Sequence, residues 1–339
     1  MRRPARGFVT PLTVIFGGVL LLIGLVAYQT SGSIFGQGIL SAFTPLVGIL
    51  VLAAAGQALV IGTGGIDLST PATITVVGII MLKYPDGQDS MLLPAIIVCL
   101  IAVLLIGLTN GLLVEVFGLN SLVVTLAVGM LALGFGRLYR GQILNVSSVP
   151  QLLVDFSANN IGGISYVLLA SIALALIGTW IVWLTVPGRR LVASSASAAA
   201  SYFVGLRART YRVLAYVVAA VLYGVAGILI SGLLRTPDLS IGAPYLLAPI
   251  VAVVLGGAVL SGGRVSFVST LFGAIFVSLL DLNLQVAGFT GGATALVQGL
   301  VLALGLTMVF LLRDKKILRS MFGGGSAGGE KALLQGSVH

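Results

Sequence analysis

The chain has 339 residues, 58% of them hydrophobic and only 8% charged, with a mean hydropathy of +1.16. That composition excludes a soluble globular domain and describes a polytopic membrane protein, while the net charge of +9 gathers at the ends of apolar runs and so does not indicate nucleic acid. The single cysteine, Cys99, and the single histidine, His339, exclude an internal disulfide, a cysteine metal cluster and a Ser/His/Asp or Cys/His catalytic set.

Apolar runs of about 17–25 residues are long enough to span. The first, 12–28, follows Arg2, Arg3 and Arg6 and reads as a membrane helix, because no small-residue cleavage site succeeds it. Residues 29–40 form a polar, glycine-rich external loop. The second run, 43–61, ends in Gly62-Thr63-Gly64-Gly65-Ile66-Asp67-Leu68-Ser69, and the third, 68–82, begins inside that stretch. Three glycines, a carboxylate and two hydroxyls do not continue a lipid-facing helix; protein or water must solvate their backbone. Asp67 has two compatible readings: an N-cap before Leu68, or a functional acid facing a polar environment.

Residues 83–89 form a turn. The fourth run is 92–114, the break is Gly118-Leu119-Asn120, and the fifth run is 122–139. Residues 140–163 are a long polar segment with room for a short helix near 149–156, and the sixth run is 164–186. Residues 187–211 carry Arg189, Arg190, Arg207 and Arg209 around an alanine- and serine-rich centre. They read as an amphipathic hairpin against the cytoplasmic surface. Four runs follow: 213–234, 246–260, 267–286 and 293–312, with a tight turn at Ser261-Gly262-Gly263-Arg264. Arg313-Asp314-Lys315-Lys316 stops the last, and 321–339 is a flexible tail. About ten spans put both termini on the side that holds most of the arginines, and the positive-inside rule makes that side cytoplasmic.

No G-x-x-x-x-G-K-[ST] loop is present, so this chain has no such phosphate cradle and is not read as an enzyme. Asn110 and Thr125 are polar within apolar runs. They are candidates to line a path, or else to form interhelical hydrogen bonds. Gly107 and Gly111 form a small-residue face suited to packing, within the chain or against a second subunit.

Gly64-Gly65-Ile66-Asp67-Leu68-Ser69 resembles the GGIDLS signature of permease subunits of bacterial ribose-type ABC importers. Gly107-Leu108-Thr109-Asn110-Gly111 with Thr125-Leu126 is similar to a second family element. Leu255-Gly256-Gly257 with Ser261-Gly262-Gly263-Arg264 is similar to a third. Three departures stand beside these matches. Ala193-Ser194-Ser195-Ala196 replaces a Gly-Asn pair, although Ala199, Ala200 and Gly205 survive. Tyr245-Leu246-Leu247-Ala248 replaces Glu-Leu-Asp, and Leu133-Gly134 replaces Arg-Gly.

The resemblance implies an all-α, vitamin-B12-importer-like (type II) permease domain over 1–320, in the bacterial inner membrane and without a cofactor. It implies cytoplasmic ATP-binding subunits, a periplasmic solute-binding protein that delivers a sugar, and a second permease subunit, identical or not. The departures suit one half of a heteromeric pair. On this reading Ser195, Ala199, Ala200 and Gly205 contact the ATPase, and Gly256, Gly257, Gly262, Gly263 and Arg264 form a second glycine turn. A permease for branched-chain amino acids or nucleosides, an ion-coupled transporter and a membrane scaffold are the alternatives.

Overall fold

The computed structural model describes residues 11–141, 147–196, 206–263, 265–289 and 291–313. Among these residues twelve α-helices follow one another: α1 (Pro11–Gln29), α2 (Gln37–Thr63), α3 (Thr70–Lys83), α4 (Leu92–Gly111), α5 (Ser121–Arg140) and α6 (Gln151–Ala158), then α7 (Tyr166–Leu184), α8 (Val186–Ala196), α9 (Ala208–Leu234), α10 (Ala248–Leu255), α11 (Phe267–Val286) and α12 (Gly292–Arg313). A single turn of π-helix, Leu112–Val116, extends α4. The only sheet among the described residues is a hairpin of two-residue strands, Asn160–Ile161 and Ile164–Ser165. Its turn is Gly162-Gly163, both at positive φ, as tight hairpins require.

Among the described residues six helical stretches are long and apolar enough to cross a membrane: α1, α2, α4 with its flanking turns, α5, α9 and α11. A seventh is α7 joined to α8, bent by 79° at their junction. The remaining three of the ten expected spans are shorter apolar helices, Thr70–Lys83, Ala243–Leu255 and Gly292–Gly305. Thr70–Lys83 is short because the glycine stretch delays its start. The eighth expected span, 246–260, is corrected to α10, whose helix stops at Leu255. Gly257 has φ +87° there, a left-handed conformation that ends helices.

α2 is the core of the bundle. Of its most apolar window 61% is buried, against 22% for α1. It packs on α7, α9, α10 and α11, and α9 in turn joins α2 to α3, α4, α6 and α8. Tyr216 and Tyr223 of α9 are fully buried alongside Ile49, Leu52 and Ile61 of α2. Small residues set the spacing. A Cβ at Gly107 would stand 2.8 Å from Ala220, and one at Gly111 would stand 3.0 Å from Val213, both on α9. The Gly107–Gly111 face is therefore occupied within the chain and is not free to pair with a second subunit. Elsewhere on α4, Leu93, Ile97, Ile101 and Leu105 form an exposed apolar stripe at four-residue spacing, the pattern of a lipid-facing surface.

Candidate functional site

The main-chain donors of the break between α2 and α3 are all met by protein groups. Gly64, at φ +90° and ψ +8°, ends α2. Its amide donates to the Ile61 carbonyl (2.9 Å), and the Gly65 amide donates to the Val60 carbonyl (3.3 Å), the paired bonds of a Schellman ending. α5 supplies the next partners. Ser121 Oγ accepts from the Ile66 amide at 3.2 Å and Thr125 Oγ1 accepts from the Leu68 amide at 2.8 Å. The Gln57 side chain, one turn and a half back along α2, takes Asp67. In the orientation that satisfies both of its ends, Oε1 accepts the Asp67 amide (3.2 Å). Its Nε2 then donates to the Asp67 carbonyl (3.1 Å) and to the Tyr223 hydroxyl (3.0 Å). Each main-chain donor from Gly64 to Ser69 thus has a partner, as a buried non-helical segment demands.

Asp67 closes the series. Its Oδ1 accepts from the Ser69 amide (2.8 Å) and from Ser69 Oγ (2.6 Å), which is an Asx-turn just ahead of α3; the N-cap of α3 is Ser69, which corrects the N-cap expectation for Asp67. Asn110 Nδ2 donates to the same Ser69 hydroxyl at 2.9 Å. The result is a continuous chain Asn110–Ser69–Asp67 that ties α4 to the break. Asp67 is 2% exposed, and Ser69, Asn110 and Thr125 are not exposed at all. Asn110 and Thr125 both hold the break by hydrogen bonds, the second of the two readings open to them. Asp67 Oδ2 and Asn110 Oδ1 are buried without a hydrogen-bond partner among the described residues. Gly65 is required by contact. A Cβ there would collide with the Tyr216 hydroxyl.

The second glycine turn docks on the first. The Gly263 amide donates to the Gly62 carbonyl at 2.9 Å. A Cβ at Gly262 would stand 3.0 Å from the Gly64 nitrogen, and one at Gly64 would stand 3.4 Å from the Ser261 carbonyl oxygen. Gly262 and Gly263 adopt φ +88° and +116°, where side-chain-bearing residues are strained. At the start of the same turn a Cβ on Gly256 would meet the Ser269 and Thr270 backbone at 3.0 Å. Two motifs from opposite halves of the sequence thus form one backbone clasp. Arg264 lies outside the described residues.

Of the expected ATPase contacts, Ser195 falls in α8, while Ala199, Ala200 and Gly205 lie outside the described residues. α8 itself is anchored. Arg212, in the first turns of α9, donates from Nη2 (2.7 Å) and Nε (3.2 Å) to the Ser194 carbonyl near the end of α8. It also faces Glu115 at 3.7 Å. Arg190 Nη1 donates to the Tyr211 hydroxyl at 3.1 Å. Guanidinium donors against the last carbonyls of a helix satisfy groups that the helix leaves open.

Sequence reasoning missed Gln57, Ser121, Tyr216, Tyr223 and the anchoring role of Arg212. Gln57 had a signal, as the only amide side chain within the run 43–61. Tyr216 and Tyr223, seven apart, share one face of α9.

These features define an all-α, multi-pass membrane protein organised around an interrupted span. Residues 39–310 match the family described as the branched-chain amino acid transport system permease component, and the chain belongs to that family. It is 30% identical over 330 residues to the autoinducer 2 import system permease protein LsrC of Enterobacter sp. (strain 638), covering 92% of this chain and 90% of that one. It is 28% identical over 304 residues to the ribose import permease protein RbsC of Bacillus subtilis (strain 168), covering 89% and 92%. Identity to the galactofuranose transporter permease protein YtfT of Escherichia coli (strain K12) is 29% over 298 residues, covering 84% of each. No solved structure matches the chain.

Proposed function

We propose that this chain is the membrane-spanning permease subunit of an ATP-driven importer and forms the path for a sugar delivered by a periplasmic binding protein. The observation that carries the reading is the intact glycine–aspartate break, each of whose main-chain donors is hydrogen-bonded, inside a chain whose full-length relatives include ribose and galactofuranose permeases. The family's description mentions branched-chain amino acids; the solute class proposed here follows the relatives. ATP hydrolysis belongs to separate cytoplasmic subunits. α8 and the segment 197–205 contact them, with Ser195, Ala199, Ala200 and Gly205 in that surface. A second permease subunit, identical or not, completes the channel, and the type II arrangement over 1–320 is the fold of each half. The decisive experiment is reconstitution in liposomes with the ATPase, the binding protein and internal ATP. Sugar uptake that requires all components is expected. Uptake by this chain alone, driven by an ion gradient, would overturn the reading.

The arginine distribution places both termini and α8 in the cytoplasm of a bacterial inner-membrane protein. Cys99 is buried, so the unaltered chain is expected to be silent to an impermeant maleimide. Cysteines at the exposed positions Ser31 and Ala158 should label from outside in spheroplasts, and one at Arg189 only after permeabilisation. Labelling of the Arg189→Cys variant in intact spheroplasts would reverse the orientation.

A further inference from the structure

A cavity of about 630 Å³ opens at the end of the bundle that carries the N-terminus of α2, the C-termini of α9 and α11 and the start of α10. It lies at the opposite end of α2 from the glycine clasp and reaches Leu50, about halfway along that helix. Its volume falls inside the range of roughly 300–1,000 Å³ typical of small-molecule sites. None of the glycine-motif residues lines it, whereas Tyr245 and Ala248, which stand where the family's Glu-Leu-Asp is replaced, do.

The walls are chemically unlike. Ser278, Asp281 and Gln285 of α11 border it. They stand three and four residues apart, so they form one polar stripe down a single helix face. Asp238 and Ser240 add a second polar group at the mouth, where Asp238 Oδ1 accepts from the Ser240 amide and hydroxyl at 2.7 and 2.8 Å. α2 contributes apolar side chains, among them Phe43 and Leu46. Asp281 is held in place by α12: Gln298 Nε2 donates to Oδ1 at 3.0 Å and to Oδ2 at 3.1 Å. Each carboxylate oxygen has further lone pairs, so Asp281 accepts additional donors without losing that brace. A fixed carboxylate, an amide and hydroxyls along one wall, with aliphatic and aromatic surface on another, match a molecule with several hydroxyls on its edge and a C–H face.

We infer that this cavity binds one neutral, polyhydroxylated solute of monosaccharide size, with Asp281 and Gln285 taking its hydroxyls and the α2 wall its apolar face. The inference rests on the sugar-import reading and adds to it a defined station within the permease, on the side from which the binding protein would release its load. It also gives Asp281 a role other than proton transfer.

The test is ligand-observed saturation-transfer NMR on the purified full chain in lipid nanodiscs, with D-ribose, D-fructose and, as a cationic comparison, putrescine. Transfer to at least one sugar is expected. Asp281→Leu should weaken it by about tenfold, the effect of losing one hydrogen bond to a charged group, and Asp281→Asn by less. Ala42→Trp, at an exposed position in the cavity wall, should abolish it while leaving the melting temperature unchanged. Transfer to putrescine and to neither sugar would overturn the polyol assignment. Transfer to no probe, or sugar transfer undiminished in Ala42→Trp, would overturn the cavity as a site. Either failure alongside intact ATP-driven sugar uptake by the assembled transporter leaves the importer reading standing; failure of that uptake sinks the reading itself.

Discussion

Asp67→Leu is expected to abolish uptake by the reconstituted importer, while Asp67→Asn retains a measurable part of it. Leucine removes the oxygen that accepts from both the Ser69 amide and the Ser69 hydroxyl. The amide is then buried without a partner, at a cost of about 1–3 kcal/mol. The loss does not stop there, because the Ser69 hydroxyl is what Asn110 of α4 holds. Once it loses its acceptor it is free to rotate, and the tie between α4 and the break loosens with it. Asparagine keeps one carbonyl oxygen to accept from the Ser69 amide, and asparagine forms the same turn as aspartate. Uptake assays and melting curves on the two variants check this together. Near-normal uptake by Asp67→Leu would reduce the break to a passive turn.

The second large effect is expected at Gly65. Alanine there places a methyl group against the Tyr216 hydroxyl, and the next atoms, Tyr216 Cζ and Val60 Cγ1, at 3.3 and 3.4 Å, must each give slightly. Gly65 is not among the positive-φ glycines, so the backbone accepts alanine and the hydroxyl is the main obstacle. Gly65→Ala should lower stability by about 1–3 kcal/mol, the usual cost of overpacking. Adding Tyr216→Phe removes the colliding atom and should restore most of that loss. A double-mutant cycle with melting as the readout measures the coupling. Additive effects of the two changes would show that the close approach of α9 does not select glycine here.

How much of this was legible in the sequence depends on which atoms carry the information. The apolar runs located α1, α2, α4, α5, α9 and α11 because hydropathy is written in side chains. The break at Gly62–Ser69 was visible for the same reason, as polar and small residues interrupting an apolar pattern. The end of α10 was not, since 246–260 stays apolar across Gly256-Gly257 and a left-handed φ leaves no trace in hydropathy. The clasp between the two glycine turns was invisible as a contact. It runs from the Gly263 amide to the Gly62 carbonyl, and main-chain groups are the same at every position. Asn110 and Thr125 were visible as polar residues, but composition does not tell a hydroxyl that faces a path from one that holds a neighbouring backbone. Ser278, Asp281 and Gln285 were each readable. Their shared face acquired meaning only when α2 and the start of α10 enclosed the space beside it.

The central position of α2 has a consequence for how the protein is made. Among the described long spans α2 is the most buried, and a partner comes late in the chain: Tyr223, which bonds Gln57, follows it by 166 residues. At bacterial elongation speeds of about 5–20 residues per second, that interval is roughly 8–30 s. Throughout it Gln57 sits in the bilayer without the Tyr223 hydroxyl that completes its hydrogen bonds. The nascent chain must therefore be sheltered by the insertion machinery, or by its own α3 and α5, until α9 arrives. Assembly of this bundle is accordingly a closing of late helices around an early one, and a chain cut short before Ala208 is left with its core facing lipid.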